Sequence, residues 1–90
     1  MAIEVRVPTI LRTYTGGAKA VPGAGGTLRE LIDDVESSHA GVKGRLVDGT
    51  ELRRFINVYV NDEDVRFTGG LDTPVSDGDV VVILPAVAGG

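Results

Sequence analysis

The run Val80-Val81-Val82-Ile83-Leu84 constrains this chain more than any other stretch. Four of its five residues are β-branched, a composition that suits a pleated surface and loses side-chain freedom in a helix. The run is too short for an independent helix and of ordinary length for a strand. Because it is apolar without interruption, it predicts a strand buried on both faces and therefore central to its sheet. Ser76-Asp77-Gly78-Asp79 supplies a tight turn into it, and Pro85 follows it. The remainder of the chain has to provide its neighbours.

The first of these lies at the other end of the sequence. Ile3, Val5 and Val7 alternate with Ala2, Glu4 and Arg6, the period of a strand with one buried face. Thr13-Tyr14-Thr15-Gly16-Gly17 reads as a turn, and residues 18–21 as the return strand of a hairpin that Pro22 stops. A glycine-rich loop, Pro22 to Gly26, opens on Thr27-Leu28-Arg29-Glu30, which has the spacing of a capping box. In that box Thr27 accepts from the Glu30 N–H, and the Glu30 carboxylate returns to the Thr27 N–H. Leu28, Leu31, Ile32 and Val35 then form one apolar stripe, with Arg29, Glu30, Asp33, Asp34 and Glu36 on the other side. The spacing predicts a helix to about Ser38, with Gly41 placed to supply a left-handed residue beyond it.

Between Gly41 and Arg54 only Val42, Leu46 and Leu52 are apolar anchors, which predicts an irregular connection with one short helical turn and a bend at Asp48-Gly49. Residues 55–60 read as a strand with Ile56, Val58 and Val60 on one face and Phe55, Asn57 and Tyr59 on the other. Asn61 to Asp64 turns the chain into a short segment, residues 65–67, and Leu71 and Val75 read as core pins.

With 90 residues there is room for one small core. Apolar residues make up 42% of the chain and aromatics 4%, so that core should be aliphatic, with Tyr14, Phe55, Tyr59 and Phe67 as its few large pieces. A hairpin, one main helix, further strands and a central last strand beside the first define an α+β fold. The arrangement fits the β-grasp, or ubiquitin-like, topology: a mixed sheet packed on one main helix. The body is expected over residues 1–85 and a flexible diglycine tail over residues 86–90.

A net charge of −4, with basic residues scattered along the chain, argues against nucleic acid. No run approaches the length of a membrane span, and the first residues enter a strand without a signal-peptide layout, so the expected location is cytoplasmic. Zero cysteines exclude a thiolate metal site and a thiol nucleophile. His39 is the single histidine and reads as a residue at the helix C-terminus. The Gly23–Gly26 loop matches neither the phosphate-loop nor the dinucleotide pattern and reads as a plain loop with a cap. Asp62-Glu63-Asp64 and Asp77-Gly78-Asp79 lack the continuation of a calcium loop and read as solvated turns, whose carboxylates could steer a basic partner. No metal site or catalytic group assembles.

The last residues differ in kind. Ala86, Val87, Ala88, Gly89 and Gly90 carry no charge, no hydroxyl and no large side chain. Diglycine lets a narrow channel close around the backbone, whereas a frayed terminus of small residues would look the same. The residues alone leave both readings open.

The chain resembles the β-grasp sulfur carriers of the ThiS and MoaD family, and within it a CysO-like branch. The resemblance rests on residues 7–12 with Thr15-Gly16-Gly17, on residues 57–67, on Asp77-Gly78-Asp79, and on residues 83–90 with their closing Val87-Ala88-Gly89-Gly90. It implies that Gly90 is adenylated by an E1-like enzyme using MgATP and then converted to a thiocarboxylate. Val87, Ala88 and Gly89 would be the lead inserted into the partner's active site. The tail ends flush and would need no proteolytic maturation. The chain itself would bind no cofactor and be a protein cosubstrate rather than an enzyme. The implied acceptor is a PLP-dependent cysteine synthase; molybdopterin, thiamine or thiosugar synthesis, or isopeptide formation as a protein modifier, are the alternatives. The sheet face of residues 55–60 and the surroundings of Pro85 would dock the partner.

Overall fold

The computed structural model describes residues 2–85. Its sheet is built outward from the last strand, β7 (Val80–Pro85). On one side β7 runs parallel to β1 (Ile3–Arg6), with Val5 opposite Val81. On the other it is antiparallel to β5 (Ile56–Val60), with Val58 opposite Ile83 and Ile56 opposite Pro85. The edges are β2 (Ala20–Gly23), antiparallel to β1, and the two-residue β6 (Glu63–Asp64), antiparallel to β5. The order β2-β1-β7-β5-β6 with β7 in the centre is the predicted β-grasp arrangement.

The main helix, α1 (Leu28–Ser38), covers one face of this sheet. Its stripe of Leu28, Leu31, Ile32 and Val35 is fully buried in one cluster with Ile3, Val5, Val58, Val81 and Ile83. Burial of each such side chain contributes about 1.5 to 3 kcal/mol before the entropy of ordering is counted. Half of the predicted capping box forms: Thr27 Oγ1 accepts from the Glu30 N–H at 3.3 Å. The Glu30 carboxylate instead accepts from the Gly26 N–H at 2.8 Å. The Leu28 N–H is taken by the Thr73 carbonyl at 2.9 Å and the Val75 N–H by the Gly26 carbonyl at 3.1 Å, so the helix start is pinned to residues 73–75.

Four expectations are corrected. Central β7 is not buried on both faces: Val81 and Ile83 are buried, Val80 and Val82 are half-buried, and Leu84 is exposed, because among the described residues no second layer covers the far side of the sheet. Pro22 does not stop the return strand, which runs through it to Gly23. Pro22 lies opposite Glu4, whose N–H points away from β2 to the Asp79 carbonyl at 3.0 Å. That pair therefore exchanges no ladder bond, and the missing proline N–H faces the open edge. Three of the four aromatic residues are not core pieces: Phe67 is 86% and Phe55 58% exposed and Tyr59 is half-buried, while Tyr14, also half-buried, packs against a cluster whose buried hydrophobics are all Ile, Leu or Val.

The fourth concerns the segment after α1, which is more regular than its composition predicts. It holds α2 (Val42–Leu46), then a short hairpin of β3 (Val47–Asp48) and β4 (Glu51–Leu52) turning at Gly49. Val42 and Leu46 are buried anchors of α2. Glu36, from the last turns of α1, accepts from the Gly41 N–H at 3.0 and 3.1 Å and from the Lys43 N–H at 2.8 Å. One carboxylate thus satisfies the open N–H groups at the start of α2 and fixes the angle between the two helices.

These bonds hold the Glu36 carboxyl below the usual carboxylate range, the Gly41 N–H having the larger effect and the Lys43 N–H the next. The Asp79 carboxyl is lowered likewise, first by the Asn61 amide and then by the Ser76 N–H. A carboxyl whose folded pKa lies below its unfolded value contributes its stabilisation above the unfolded pKa and loses it as pH falls through the folded one. From these two groups urea midpoints should stay level from pH 7 to about 5 and fall in more acid solution. Glu36→Gln should lower the midpoint at pH 7 and flatten the acid limb; a variant that follows the parent chain at every pH excludes Glu36 as a contributor.

Candidate functional site

Strand β7 ends at Pro85 opposite Ile56, and Pro85 is the last residue described before the five that close the sequence. Val87, Ala88, Gly89 and Gly90, the site residues expected from the sequence, lie outside the described residues, as does Ala86. The structure describes the surface around Pro85, the residue that precedes them in the sequence. Phe55 and Ile10, both 58% exposed, stand on this rim with Pro85, and Leu84, 45% exposed, adjoins it. Ile10 is held there by a single 3₁₀ turn, Thr9–Leu11, whose Leu11 is buried as its anchor. Phe55 directly precedes β5.

Arginines surround these apolar side chains. Arg45 from α2 and Arg53 and Arg54 after β4 line the same groove as Ile10, Phe55 and Pro85, with Asp48 as its one acidic member. The Arg54 guanidinium lies 6.0 Å from the centre of the Phe55 ring, within reach of a cation–π contact. Arg53 Nε donates to the Gly44 carbonyl at 2.9 Å, which ties the segment after β4 to α2. From below, Arg66 donates to Asn57 Oδ1 at 2.5 Å and to the Ile56 carbonyl at 2.6 Å, anchoring the β5 residue that faces Pro85.

The outward face of the sheet continues from this rim. Leu84 lies opposite Asn57, and Val82 lies opposite Tyr59 on one side and beside Arg6 on the other. Arg6 Nε donates to Glu4 Oε2 at 2.6 Å, which raises the Arg6 pKa. The expected docking face around residues 55–60 is therefore a mixed strip in which Leu84, Val82 and Tyr59 alternate with the amide of Asn57, beside the Arg6–Glu4 ion pair.

Other residues singled out from the sequence stand elsewhere. His39 caps α1, its N–H bonded to the Val35 carbonyl at 2.8 Å. In the glycine loop, the Ala24 N–H is taken by Asp34 Oδ2 at 3.0 Å and the Gly26 N–H by Glu30, so carboxylates occupy donors that an anion would need. The two acidic turns meet each other. Asn61 and Asp62 form the β5–β6 turn with φ of 50° and 71°, and Asn61 donates to Asp79 Oδ1 and accepts from the Val80 N–H, both at 3.0 Å. They sit at the start of β7, the end opposite Pro85. The rim arginines and Ile10 were not distinguished by sequence reasoning; the one signal was Arg53-Arg54-Phe55, a basic pair beside an aromatic in an acidic chain.

A sheet with this order packed on one main helix is that of the β-grasp carriers. The ThiS family model matches residues 5–90, and the chain belongs to that family. It is 55% identical to the sulfur carrier protein CysO of Mycobacterium tuberculosis over 93 aligned positions that cover the whole of both chains. The CysO chain of the Amycolatopsis orientalis BexX/CysO complex superposes with a TM-score of 0.95 at 66% identity, over 99% of this chain and 100% of that one. Small archaeal modifier protein 3 of Haloferax volcanii is 34% identical over 71% of this chain and 70% of its own length. The CysO-like resemblance inferred from the sequence is borne out.

Proposed function

We propose that this sulfur carrier protein bears its sulfur as a thiocarboxylate on Gly90. The observation that carries the reading is that β7, the central strand of the sheet, ends at Pro85, which the sequence follows directly with a neutral small-residue segment ending Gly89-Gly90. At pH 7 a terminal carboxylate, with a pKa of about 3.3 to 3.7, is an anion and a poor acyl electrophile. An E1-like partner using MgATP makes it one: the carboxylate oxygen attacks the α-phosphorus, pyrophosphate leaves, and the acyl adenylate forms. A sulfide-equivalent nucleophile then attacks the acyl carbon and AMP departs with the bonding pair, leaving the thiocarboxylate.

The body over residues 1–85 presents the tail; Val87, Ala88 and Gly89 thread the partner's channel. The chain acts as a protein cosubstrate rather than an enzyme, and the nucleotide and metal belong to the activating partner. The acceptor we favour is a PLP-dependent cysteine synthase in the cytoplasm. Full-length relatedness to CysO supports the carrier role, and the BexX/CysO complex of A. orientalis supports action through protein partners.

The likeness to a small archaeal modifier protein favours one second reading, transfer of the same acyl group to a lysine amine. Intact mass spectrometry separates the two. After incubation with activating enzyme, MgATP and a sulfide source, the carrier reading expects one sulfur in place of one oxygen, localised to Gly90 by fragmentation. Lysine-linked conjugates without the sulfur-bearing species would overturn it.

A further inference from the structure

The five-stranded sheet ends on two edges, β2 and β6, and an open edge is where one main chain can pair with another. On β2 the pairing with β1 decides which groups are free. The Val7 N–H donates to the Lys19 carbonyl at 2.8 Å, and Val5 and Ile3 stand opposite Val21 and Gly23 in the same phase. Lys19, Val21 and Gly23 therefore turn their main-chain groups inward to β1. Ala20 and Pro22, with Ala18 and Ala24 just beyond the strand ends, turn theirs to the open side.

Three of those four positions are closed, each in a different way. The Ala18 N–H donates to the Thr15 carbonyl at 3.2 Å, and the Ala18 carbonyl accepts from Thr15 Oγ1 at 2.9 Å. That hydroxyl, 3.2 Å from the Arg12 carbonyl as well, is buried with its residue. Pro22 has no N–H to give. The Ala24 N–H is taken by Asp34 Oδ2, a carboxylate of α1, at 3.0 Å. Only Ala20 keeps both of its main-chain groups toward the open side.

A second copy of the chain laid antiparallel along β2 finds no complete register. With Ala20 opposite Ala20, Pro22 of each copy meets the occupied Ala18 of the other. With Pro22 opposite Pro22, neither has a donor, and Ala20 meets the occupied N–H of Ala24. With Ala20 opposite Pro22, each proline accepts a bond that it cannot return. At the other edge β6 has two residues before the chain enters the 3₁₀ turn Val65–Phe67. Ile56, farther along that edge, is bonded through its N–H to the Arg53 carbonyl at 3.1 Å and through its carbonyl to Arg66.

We propose that Pro22, Thr15 and Asp34 form an edge guard, which closes β2 against strand addition by a second copy and holds the carrier as a monomer. Its partners then recognise side chains, because neither edge offers a run of free main chain. The outward side of the sheet makes the guard necessary. Val82 and Leu84 belong to a face that no layer covers among the described residues. An edge-joined pair would continue that face across two copies, and a wide exposed apolar face recruits further copies. The proposal holds whether or not Gly90 is the reactive end.

The test compares the full chain with Pro22→Val/Asp34→Ala, which frees N–H groups at positions 22 and 24 beside that of Ala20. Sedimentation equilibrium from about 10 µM to about 1 mM covers the range in which a weak pair forms. The parent should be a monomer throughout. Two new donors on each of two copies allow about four added ladder bonds, so the variant should dimerise at least about tenfold more tightly than the parent. Amide hydrogen exchange reads the edge itself. In the parent, Val21 and Gly23 should be protected and Ala20 unprotected at every concentration, whereas in the variant protection should appear at positions 20, 22 and 24 as concentration rises. Thermal midpoints by circular dichroism establish that each chain is folded. A parent that dimerises with protection of Ala20, or a folded variant that stays monomeric with Ala20 unprotected at about 1 mM, overturns the proposal. If the double variant does not fold, Pro22→Val and Asp34→Ala are read singly against the same two outcomes, and the exchange of Ala20 in the parent decides by itself whether the edge is in use.

Discussion

Deletion of Gly89 and Gly90 should abolish sulfur loading while leaving the unfolding midpoint where it was. Every buried residue and every strand pair of the described fold lies between Ile3 and Pro85. The helix, the sheet and the pinning of residues 73–75 are each assembled from residues within 3–85, and loss of stability on deletion is expected to stay within about 0.5 kcal/mol. Chemistry is affected differently. The truncated chain still ends in a carboxylate, on Ala88, so an acyl group exists; what changes is its reach, shorter by about 7 Å, and the Cβ at its terminus. A channel shaped for two residues without Cβ excludes it on both grounds. The measurement is intact mass after incubation with activating enzyme, MgATP and sulfide, beside a urea titration of the same sample. A truncated chain that acquires sulfur at the parent rate would remove Gly90 from the mechanism. Loss of loading accompanied by a large drop in midpoint would show instead that the tail supports the fold.

The architecture was legible where one force acts alone. The alternation of residues 3–7 and 56–60 and the stripe Leu28-Leu31-Ile32-Val35 record burial against a single layer, and each is buried as patterned. Val80 to Leu84 misled in part because apolar composition reports that a residue can be buried, not that something covers it; here Val82 and Leu84 belong to the uncovered face. The hairpin of β3 and β4 left no alternating pattern since each strand is two residues long. The Glu36 staple and the Arg66 anchor join residues through backbone groups, which carry no sequence identity to read. The arginine rim is assembled from α2, the residues after β4 and the turn at Ile10, so its charge becomes visible only when the fold brings those three segments together.

Substitution of Gly41 by alanine should destabilise the chain by about 2 to 4 kcal/mol, a large share of the stability expected of a domain this size. Two independent causes act at this position. Gly41 has φ of 104°, a conformation L-residues rarely adopt, and forcing one into left-handed backbone costs about 1 to 2 kcal/mol. An added Cβ would also come within 2.6 Å of Tyr14 Cδ1 and 2.7 Å of Cε1, so the half-buried ring would have to leave its place against the core. The causes separate in a double-mutant cycle. With Tyr14→Ala in the background the steric part vanishes and only the backbone part remains, so the double variant should be more stable than the sum of the single losses predicts. Strict additivity would assign the whole effect to φ, and a cost of Gly41→Ala below about 0.5 kcal/mol would refute both causes. The outcome bears on function because Gly41 caps the start of α2, through which Arg45 and, by its bond to Gly44, Arg53 are placed on the rim. A chain weakened here should lose partner affinity in step with that junction while its Gly90 tail remains chemically competent for loading at saturating enzyme.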